Sequence, residues 1–183
     1  MLSKAYQKPI KSKGVVMIKL RPTSPDDCAL LRYWDTQPHV LAADPNDDWL
    51  WETELYHHPP WREMWIAECD NKPIGFIQII DPKEEDSHYW GAVPAGLRAI
   101  DLWIGEAAML GQGYGTLMMQ QALARCFAVP EVDAVLIDPL ASNTAAQRFY
   151  KRQGFIFIEE RWFGLDHCYV YRLSRQRYQQ HQH

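Results

Sequence analysis

The alternation of hydrophobic and polar positions along the chain predicts a mixture of strands and helices. Short apolar stretches bounded by turn residues predict seven strands, at 15–21, 61–68, 73–80, 99–105, 132–137, 155–163 and 168–173. Stretches with helical spacing predict helices at 23–34, 48–57, 117–125 and 142–152. The segment 81–96 is rich in charge, proline and glycine and is predicted to be a long loop, a kind of segment that is usually functional or mobile.

Local signals and composition support one folded domain. Ser24 suits a helix N-cap with Pro25 at the first helical position, and Asp70-Asn71 suits a hairpin turn between the second and third predicted strands. With 183 residues, of which 47% are hydrophobic and 23% charged, the chain can bury a sizeable core. We expect a single domain over 1–183, with flexible tails at 1–14 and 175–183.

Three glycines at alternate positions, Gly111, Gly113 and Gly115, stand between a predicted strand and a predicted helix. Glycines let backbone N–H groups approach a phosphate, and the N–H groups at a helix start favour its negative charge. The stretch therefore indicates a site for a phosphorylated cofactor. It lacks the lysine that a nucleotide triphosphatase loop carries before Thr116, and its spacing differs from the dinucleotide-binding pattern. A glycine-rich turn without a ligand is the alternative.

A second motif lies at 143–155 and reads N-T-A-A-Q-R-F-Y-K-R-Q-G-F. Together with the glycine loop it resembles the GNAT superfamily of acetyl-CoA-dependent N-acyltransferases. The resemblance implies an α+β fold in α/β/α layers, with helices flanking a mixed, mostly antiparallel sheet of about seven strands. It also implies that the loop binds the pyrophosphate of coenzyme A, with Asn143 near the pantetheine and Tyr150 near the thioester sulfur. The family loop usually begins with Gln or Arg where this chain has Leu110.

The resemblance implies acetyl-CoA as the cofactor and a set of residues that bind it. These are Leu102, Trp103, Ile104, Gly111, Gln112, Gly113, Tyr114, Gly115, Thr116, Asn143, Ala146 and Tyr150. The reaction needs hydrogen-bond donors for an oxyanion and a proton for the departing thiolate. Backbone amides at 102–104 are expected to supply the donors, and the Tyr150 hydroxyl the proton. The alternative is that Tyr150 packs beside Phe149 as a buried aromatic residue.

Two further segments, 98–106 and 136–139, are similar to those of the aminoglycoside 6′-N-acetyltransferases, enzymes of antibiotic resistance. In that group an aspartate in the first segment lies beside the 6′-amine, and a D-P turn supplies a second acid. The resemblance implies that Asp101 and Asp138 have these two positions. Asp166, ahead of the last predicted strand, matches a third acidic contact.

The position of Asp101 within an apolar strand points independently to a cationic acceptor. A carboxylate there is costly unless it is ionised and paired or belongs to a site. The alternative is that Asp101 forms a salt bridge to Arg98 or caps the end of the strand. With a pKa near 4, Asp101 would orient an amine rather than deprotonate it, although a pKa raised by burial would shift this balance.

Carboxylates and large aromatic residues are interleaved in the segments 44–52 and 84–90. Flat aromatic rings beside carboxylates suit a sugar-like polycation, through stacking, cation–π contact and charge pairing. Trp49, Glu85 and Trp90 are therefore candidate substrate-binding residues. The alternative is that the acidic runs are solvated loop faces and the tryptophans fill the core.

Charge and composition argue against several classes of partner. A net charge of −4 without a basic cluster argues against nucleic acid and anionic membranes. We find no apolar run long enough for a membrane span and no signal peptide at the start. The four scattered cysteines suit packing in a reducing cytoplasm, and no histidine spacing indicates a metal. We expect a monomer or homodimer that acts on a small-molecule amine.

Three functional hypotheses follow from these observations. The first is acetyl transfer to the 6′-amine of an aminoglycoside. The second is a GNAT enzyme for another amine, such as a protein N-terminus, a polyamine or a siderophore hydroxylamine, although siderophore enzymes tend to carry histidine where Asp101 stands. The third is a non-catalytic acetyl-CoA-binding module, which the intact glycines, Asn143 and Tyr150 disfavour.

Overall fold

The computed structural model describes residues 17–181, in which seven strands form one sheet of order β1-β2-β3-β4-β5-β7-β6. All neighbouring strands run antiparallel except β4 and β5, which are parallel. This is the mostly antiparallel seven-stranded sheet that the sequence predicted. The strands are β1 (Lys19–Pro22), β2 (Arg62–Cys69), β3 (Lys72–Ile80), β4 (Leu97–Ile104), β5 (Ala134–Ile137), β6 (Ile156–Phe163) and β7 (Asp166–Ser174).

Helices flank the sheet and connect its strands. Two 3₁₀ turns, Pro25–Asp27 and Ala107–Met109, precede α1 and the glycine loop respectively. No helix among residues 17–181 is long and apolar enough to cross a membrane. The α-helices are α1 (Cys28–Asp35), α2 (Pro38–Ala43), α3 (Trp51–Glu54), α4 (Tyr114–Ala128), α5 (Thr144–Arg152) and α6 (Arg175–His181).

The parallel strands β4 and β5 separate along their length. They pair only from Leu97–Ala99 to Ala134–Leu136, and β4 then continues to Ile104 while β5 ends at Ile137. Pro139 follows two residues later and cannot donate to a continued strand ladder. The sheet is therefore split at its centre, and the second half of β4 pairs with β3 alone.

Each face of the sheet carries its own hydrophobic core. On one face, α4 buries Met118, Met119 and Leu123 against β3, β4 and β5. On the other, Trp34 and Trp51 pack with Phe76. Trp34 lies so close to the end of β4 that a Cβ atom on Gly105 would lie 2.0 Å from its ring. A third cluster, which includes Leu97 and Leu136, packs where β4 and β5 still pair.

Several local predictions are confirmed. Asp70 and Asn71 both have positive φ angles, 51° and 61°, as a tight two-residue hairpin turn requires, and Cys69 pairs with Lys72 across it. Pro25 begins the first helical turn, and the Ser24 N–H donates to the Asp27 carboxylate at 2.8 Å. The predicted strand at 15–21 lies partly outside the described residues, and its described part is shifted to β1.

The predicted helix at 48–57 is wrong in length, because only Trp51–Glu54 is helical. Leu50 has a left-handed conformation with φ of 46°, and its N–H donates to the Asp48 carboxylate, so the helix cannot start earlier. Helix α2 was not predicted.

The expectation of a flexible tail at 175–183 is wrong for Arg175–His181, which forms α6. Arg175 donates to the carbonyl groups of Phe127, Val129 and Val132, and Tyr178 stacks on Phe127 at 4.6 Å between ring centroids. These contacts fasten the helix to the end of α4. The expected tail at 1–14 lies outside the described residues, as do residues 182–183.

Candidate active site

The glycine loop has the backbone geometry of an anion site. Gly111 and Gly113 have φ angles of 70° and 89°, and Gly113 is the residue that precedes the first turn of α4. A Cβ atom at either position would meet nothing within 4 Å, so backbone conformation, and not space, favours glycine there. Within residues 17–181 the N–H groups from Gly111 to Gly115 have no hydrogen-bond acceptor in the chain. These groups and the α4 terminus can hold a phosphate.

The other predicted loop residues fit this arrangement in different ways. Tyr114 and Gly115 form the first turn of α4, and the Thr116 N–H donates to the Gly113 carbonyl at 3.1 Å. The Gln112 side chain donates back to the Ala108 carbonyl and so closes the loop on itself. The backbone of the loop, rather than its side chains, is therefore the part available to a ligand.

The end of β4 lies beside the split in the sheet. The Ile104 carbonyl accepts a hydrogen bond of 2.7 Å from His39 Nε2, and Leu102 packs toward α4. Trp103 faces the other way and packs edge-on against Trp49, with ring centroids 5.0 Å apart. That the amides at 102–104 bind an oxyanion stays a prediction, although this side of β4 has no strand partner within 17–181.

Asn143 and Tyr150 lie on α5, which begins where β5 has ended. The Asn143 side chain accepts from the Ala146 N–H at 3.0 Å and caps the helix, a role that the sequence analysis did not assign to it. Asn143, Ala146 and Tyr150 all line the same cleft. Helix capping thus fixes the position of the face that carries Tyr150.

The Tyr150 hydroxyl is available for proton donation. It makes no hydrogen bond to any described residue, while the ring packs against Phe149 and Phe155. Burial raises the pKa of Tyr150 above its ordinary value, and the negative charges of Asp101 and Asp138 raise it further. The hydroxyl is therefore protonated at neutral pH. The ring therefore packs as the alternative interpretation expected, while the hydroxyl stays available for the predicted proton donation.

Asp101 is paired with an amide and not with a cation. Gln78 lies directly opposite it on β3, and Gln78 Nε2 donates to Asp101 Oδ2 at 3.0 Å. Arg98 instead binds Asp81 at 2.8 Å, so the salt bridge considered as the alternative is wrong. Burial raises the pKa of Asp101 to about 7, and the charge of Asp138 adds to the rise. A carboxyl with this pKa can exchange protons near neutral pH.

Asp138 lies at the end of β5, across the split from Asp101. Tyr89 donates its hydroxyl proton to Asp138 Oδ2 at 2.7 Å, and burial raises the pKa of Asp138 to about 6. The Tyr89 ring stacks on Phe163 with centroids 4.3 Å apart. Gln78 is a site residue that was not predicted from the sequence, whereas Tyr89 lies in the aromatic segment 84–90 that was singled out for acceptor binding. The signal for Gln78 was a single polar residue inside the apolar run of β3.

These residues line a cleft of about 760 Å³ with a strong excess of negative charge. Among the described residues, its wall holds seven aspartates and two glutamates but a single basic residue, Arg62, which is already paired with Glu54. Burial, assisted by the charge of Asp47, raises the pKa of Asp44 to about 6. Carboxylates gathered in this way without counter-charges favour a cationic ligand.

Asp166 and Trp49 lie at the rim of the cleft, as predicted substrate-binding residues would. Asp166 accepts a hydrogen bond of 2.6 Å from Asn46, which connects the β6–β7 hairpin with the segment after α2. Trp49 stacks on Trp51 with centroids 5.2 Å apart, and its Nε1 donates to Asp44 at 3.1 Å. Both side chains remain substrate-binding candidates.

Glu85 and Trp90 have structural roles that the sequence did not reveal. The two carboxylate oxygens of Glu85 accept the N–H groups of Ser87 and Tyr89, at 2.7 and 3.0 Å, so Glu85 shapes the loop that holds Tyr89. Trp90 is only 3% exposed and packs edge-on against Phe163. Both residues also line the cleft, so their assignment as substrate contacts stays a prediction.

Comparison with known proteins places this chain in a family. The model of a family described as an acetyltransferase (GNAT) domain matches residues 23–163, most of the chain. The chain belongs to the GNAT acetyltransferase family. It is therefore an acetyl-CoA-dependent acetyltransferase, and the expected cofactor is confirmed. The glycine loop, the N-terminus of α4 and the split in the sheet fit such a cofactor.

Two groups of curated relatives are informative. The chain is 33% identical over 147 residues to an aminoglycoside N(6′)-acetyltransferase type 1 from Klebsiella pneumoniae. The aligned region covers 75% of this chain and 73% of the relative. It is 26% identical over 173 residues to a lysine N-acyltransferase from a Mycobacterium strain, covering 85% of this chain and 66% of the relative. The two names describe different amine acceptors.

Solved structures share the fold. A crystal structure of aminoglycoside acetyltransferase AAC(6′)-Ib in complex with coenzyme A and kanamycin aligns with a TM-score of 0.80 at 24% identity, over 91% of this chain and 100% of that chain. An aminoglycoside N(6′)-acetyltransferase from Legionella pneumophila aligns with a TM-score of 0.72 at 21% identity, over 92% and 98% of the two chains.

Proposed function

We propose that this GNAT enzyme acetylates a primary amine of a polycationic small molecule, the 6′-amine of an aminoglycoside. The observation that carries the proposal is the convergence of Asp101, Asp138 and Tyr150 on one acidic cleft at the split between β4 and β5. The cleft offers carboxylates to a cation at the place where the family reaction needs a base and an acid.

The chain offers a separate place for the acyl donor. Acetyl-CoA, when bound, supplies an acetyl group activated as a thioester. The free N–H groups from Gly111 to Gly115 would hold its phosphates, and the α4 terminus would favour their charge. Asn143 and Ala146 would line the path between this loop and Tyr150.

Proton transfer is assigned to two side chains. Asp101, with a pKa of about 7, accepts a proton from the acceptor amine as the nitrogen bonds to the acetyl carbon. This goes beyond the orienting role expected from an ordinary carboxyl pKa. Tyr150 gives its hydroxyl proton to the departing sulfur, and its raised pKa keeps that proton in place beforehand. The acid and the base thus belong to different elements, α5 and β4.

The remaining carboxylates select the acceptor. Asp44, Asp47 and Asp166 lie around the cleft at its rim and would pair with further ammonium groups of a polycation. Trp49 supplies a flat ring beside them, suited to a sugar ring or a cation. The 33% identical relative, named as an aminoglycoside N(6′)-acetyltransferase, supports the same acceptor class.

A second candidate acceptor is a lysine-type amine. The observation that favours it is the similarity to a lysine N-acyltransferase over 85% of this chain. Such an acceptor carries one side-chain ammonium group, so it would use Asp101 and Asp138 without the carboxylates at the rim. Dependence of turnover on Asp44 and Asp166 therefore distinguishes the two acceptors.

A thiol-release assay with acetyl-CoA and a panel of amines tests the proposal. The panel contains kanamycin, tobramycin, spermidine, a lysine derivative and a peptide N-terminus. The proposal requires that an aminoglycoside has the highest kcat/KM. A higher value for any other amine overturns the aminoglycoside assignment, and binding of acetyl-CoA without thiol release on any amine would indicate a binding module instead.

We also propose a cytoplasmic location, which the four unpaired cysteines support.

A further inference from the structure

Gln78 is an unusual residue for its place in the fold. It lies in the middle of β3, between Ile77 and Ile79, and is only 9% exposed. The residues around it on this strand are buried and apolar, so a polar side chain here needs a specific partner. The partner is the carboxylate of Asp101 on β4.

The contact fixes one oxygen of that carboxylate. Gln78 and Asp101 face each other directly in the antiparallel register of β3 and β4, and Nε2 donates to Oδ2 at 3.0 Å. Within residues 17–181 this is the single hydrogen bond that the Asp101 side chain accepts. Because Oδ2 is held by the amide, Oδ1 is the oxygen left for the amine of an acceptor.

The other groups that face Asp101 disfavour its ionised form. Asp138 at the end of β5 and Asp44 and Asp47 after α2 are negatively charged neighbours, and each raises the pKa of Asp101. Two phenols, Tyr89 and Tyr150, also interact with it, because the charge of Asp101 raises the pKa of each.

Within residues 17–181 no cation forms a salt bridge with Asp101, and Arg161 on β6 acts instead on Asp138, whose pKa it lowers. Arg98, on the same strand, is bound to Asp81, and Arg62 is bound to Glu54. The hydrogen bond from Gln78 is the interaction that lowers the pKa of Asp101 against this background. Without it, the carboxyl would hold its proton to a higher pH, and a protonated carboxyl cannot accept a proton from an amine.

We propose that Gln78 is a positioning residue that holds Asp101 Oδ2, favours the ionised carboxylate and presents Oδ1 to the acceptor amine. The proposal rests on the base role of Asp101 in the proposed function. A side chain on β3 that need not touch the acceptor thus controls the pH range in which the enzyme works.

Two substitutions at Gln78 should change the titration of Asp101 in opposite directions. Gln78→Met keeps the length of the side chain and removes the donor, so the pKa of Asp101 should rise. Gln78→Lys replaces the amide with a cation beside the carboxylate, so the pKa should fall. Because each unit of pKa changes the ionised fraction tenfold at low pH, kcat/KM of Gln78→Met at pH 6 should fall roughly threefold to tenfold. At pH 9 it should stay within about twofold of the wild-type value.

The titration itself is measured by carbon-13 NMR of the aspartate carboxyl groups in the full chain, with Asp101→Asn identifying the Asp101 signal. Gln121→Met is the matched control, because Gln121 also donates one hydrogen bond of 3.0 Å, to the Ile18 carbonyl, but lies on α4 outside the cleft. This control should leave the Asp101 titration and the pH profile unchanged.

Two results would overturn the assignment. One is an Asp101 midpoint that stays the same in folded Gln78→Met and Gln78→Lys. The other is a loss of kcat/KM by the same factor at every pH, which would indicate a packing role. The NMR titration does not depend on activity, so it decides the coupling of Gln78 to Asp101 even if the wild-type enzyme acetylates none of the amines tested. That last outcome would remove the proposed function and not the coupling.

Discussion

The Tyr89 hydroxyl donates a hydrogen bond of 2.7 Å to Asp138 Oδ2, and this bond joins the loop at 81–96 to the end of β5. Burial alone would leave Asp138 protonated over a wider pH range, and the hydrogen bond lowers its pKa. A loop residue therefore helps keep a second carboxylate ionised in the cleft. Glu85 supports this arrangement, because it binds the Tyr89 backbone N–H at 3.0 Å.

Tyr89→Phe should weaken binding of a cationic acceptor. The ring can keep its stacking on Phe163, while Asp138 loses its donor and becomes harder to ionise. We expect KM for the acceptor to rise roughly threefold to tenfold near pH 6.5, the range for the loss of one ordinary hydrogen bond, with a smaller change in kcat. Tyr56→Phe, at an exposed tyrosine outside the cleft, is the control. Equal KM values for Tyr89→Phe and wild type would show that Asp138 does not contact the acceptor.

Gly113→Val should abolish binding of coenzyme A. The φ angle of 89° at Gly113 is strained for any residue with a Cβ atom, and a β-branched one also crowds the loop amides. Gly91→Val is a matched control, since Gly91 has a φ of 67°, meets nothing within 4 Å and lies outside the cleft. Calorimetry with coenzyme A should show binding for the control alone. If both variants bind equally well, the loop does not hold the phosphates.

Tyr150→Phe should lower kcat and leave acetyl-CoA affinity nearly unchanged. The substitution keeps the packing on Phe149 and Phe155 and removes the hydroxyl that has no partner in the described chain. Loss of one proton donor is expected to cost on the order of tenfold to a thousandfold in kcat. Tyr178→Phe, whose ring stacks on Phe127 away from the cleft, is the control. Wild-type turnover in Tyr150→Phe would limit this tyrosine to packing.

Asp101→Asn should lower kcat/KM for kanamycin or tobramycin by at least about tenfold, which is about 1.4 kcal/mol of transition-state stabilisation. The amide keeps the shape of the side chain but can neither accept the proton nor pair with the amine. In the wild type, kcat/KM should rise with pH through about 7 as Asp101 loses its proton. Asp26→Asn, at an exposed aspartate in the first 3₁₀ turn, should behave as wild type. If Asp101→Asn keeps the same rise of kcat/KM with pH, another group must cause that rise.

The same variant should be more stable than the wild type at neutral pH. Because the folded-state pKa of Asp101 is raised above its unfolded value, folding favours the protonated carboxyl, and stability contributed by this group is lost as pH rises from about 4 to about 7. Asparagine stays neutral throughout. Thermal unfolding should therefore show a higher Tm for Asp101→Asn at pH 8 and little difference at pH 4, and a lower Tm at pH 8 would contradict the raised pKa.

Features that depend on a few neighbouring residues could be predicted from the sequence. The positive φ angles at Gly111, Gly113, Asp70 and Asn71 are local properties, and the turns that they form were predicted. Asp101 and Asp138 were also selected because their segments match known motifs, and both residues line the same cleft.

The sequence did not predict roles that depend on where other groups lie after folding. The Glu85 carboxylate accepts two N–H groups of its own loop, and Trp90 packs against Phe163 from another strand. Gln78 acquires its meaning from the β3–β4 register, which puts it opposite Asp101. The helix at 175–181 depends on carbonyl groups at the end of α4 that Arg175 binds.

The contact between Gly105 and Trp34 constrains how this sequence can change. Trp34 is fully buried, its Nε1 donates to Glu106 at 2.8 Å, and the space for any side chain at position 105 is filled by its indole. Substitutions at positions 34 and 105 therefore depend on each other. A residue smaller than tryptophan must appear at position 34 before any residue larger than glycine can occupy position 105. The backbone path from β4 to the glycine loop is thus linked to the sequence of α1.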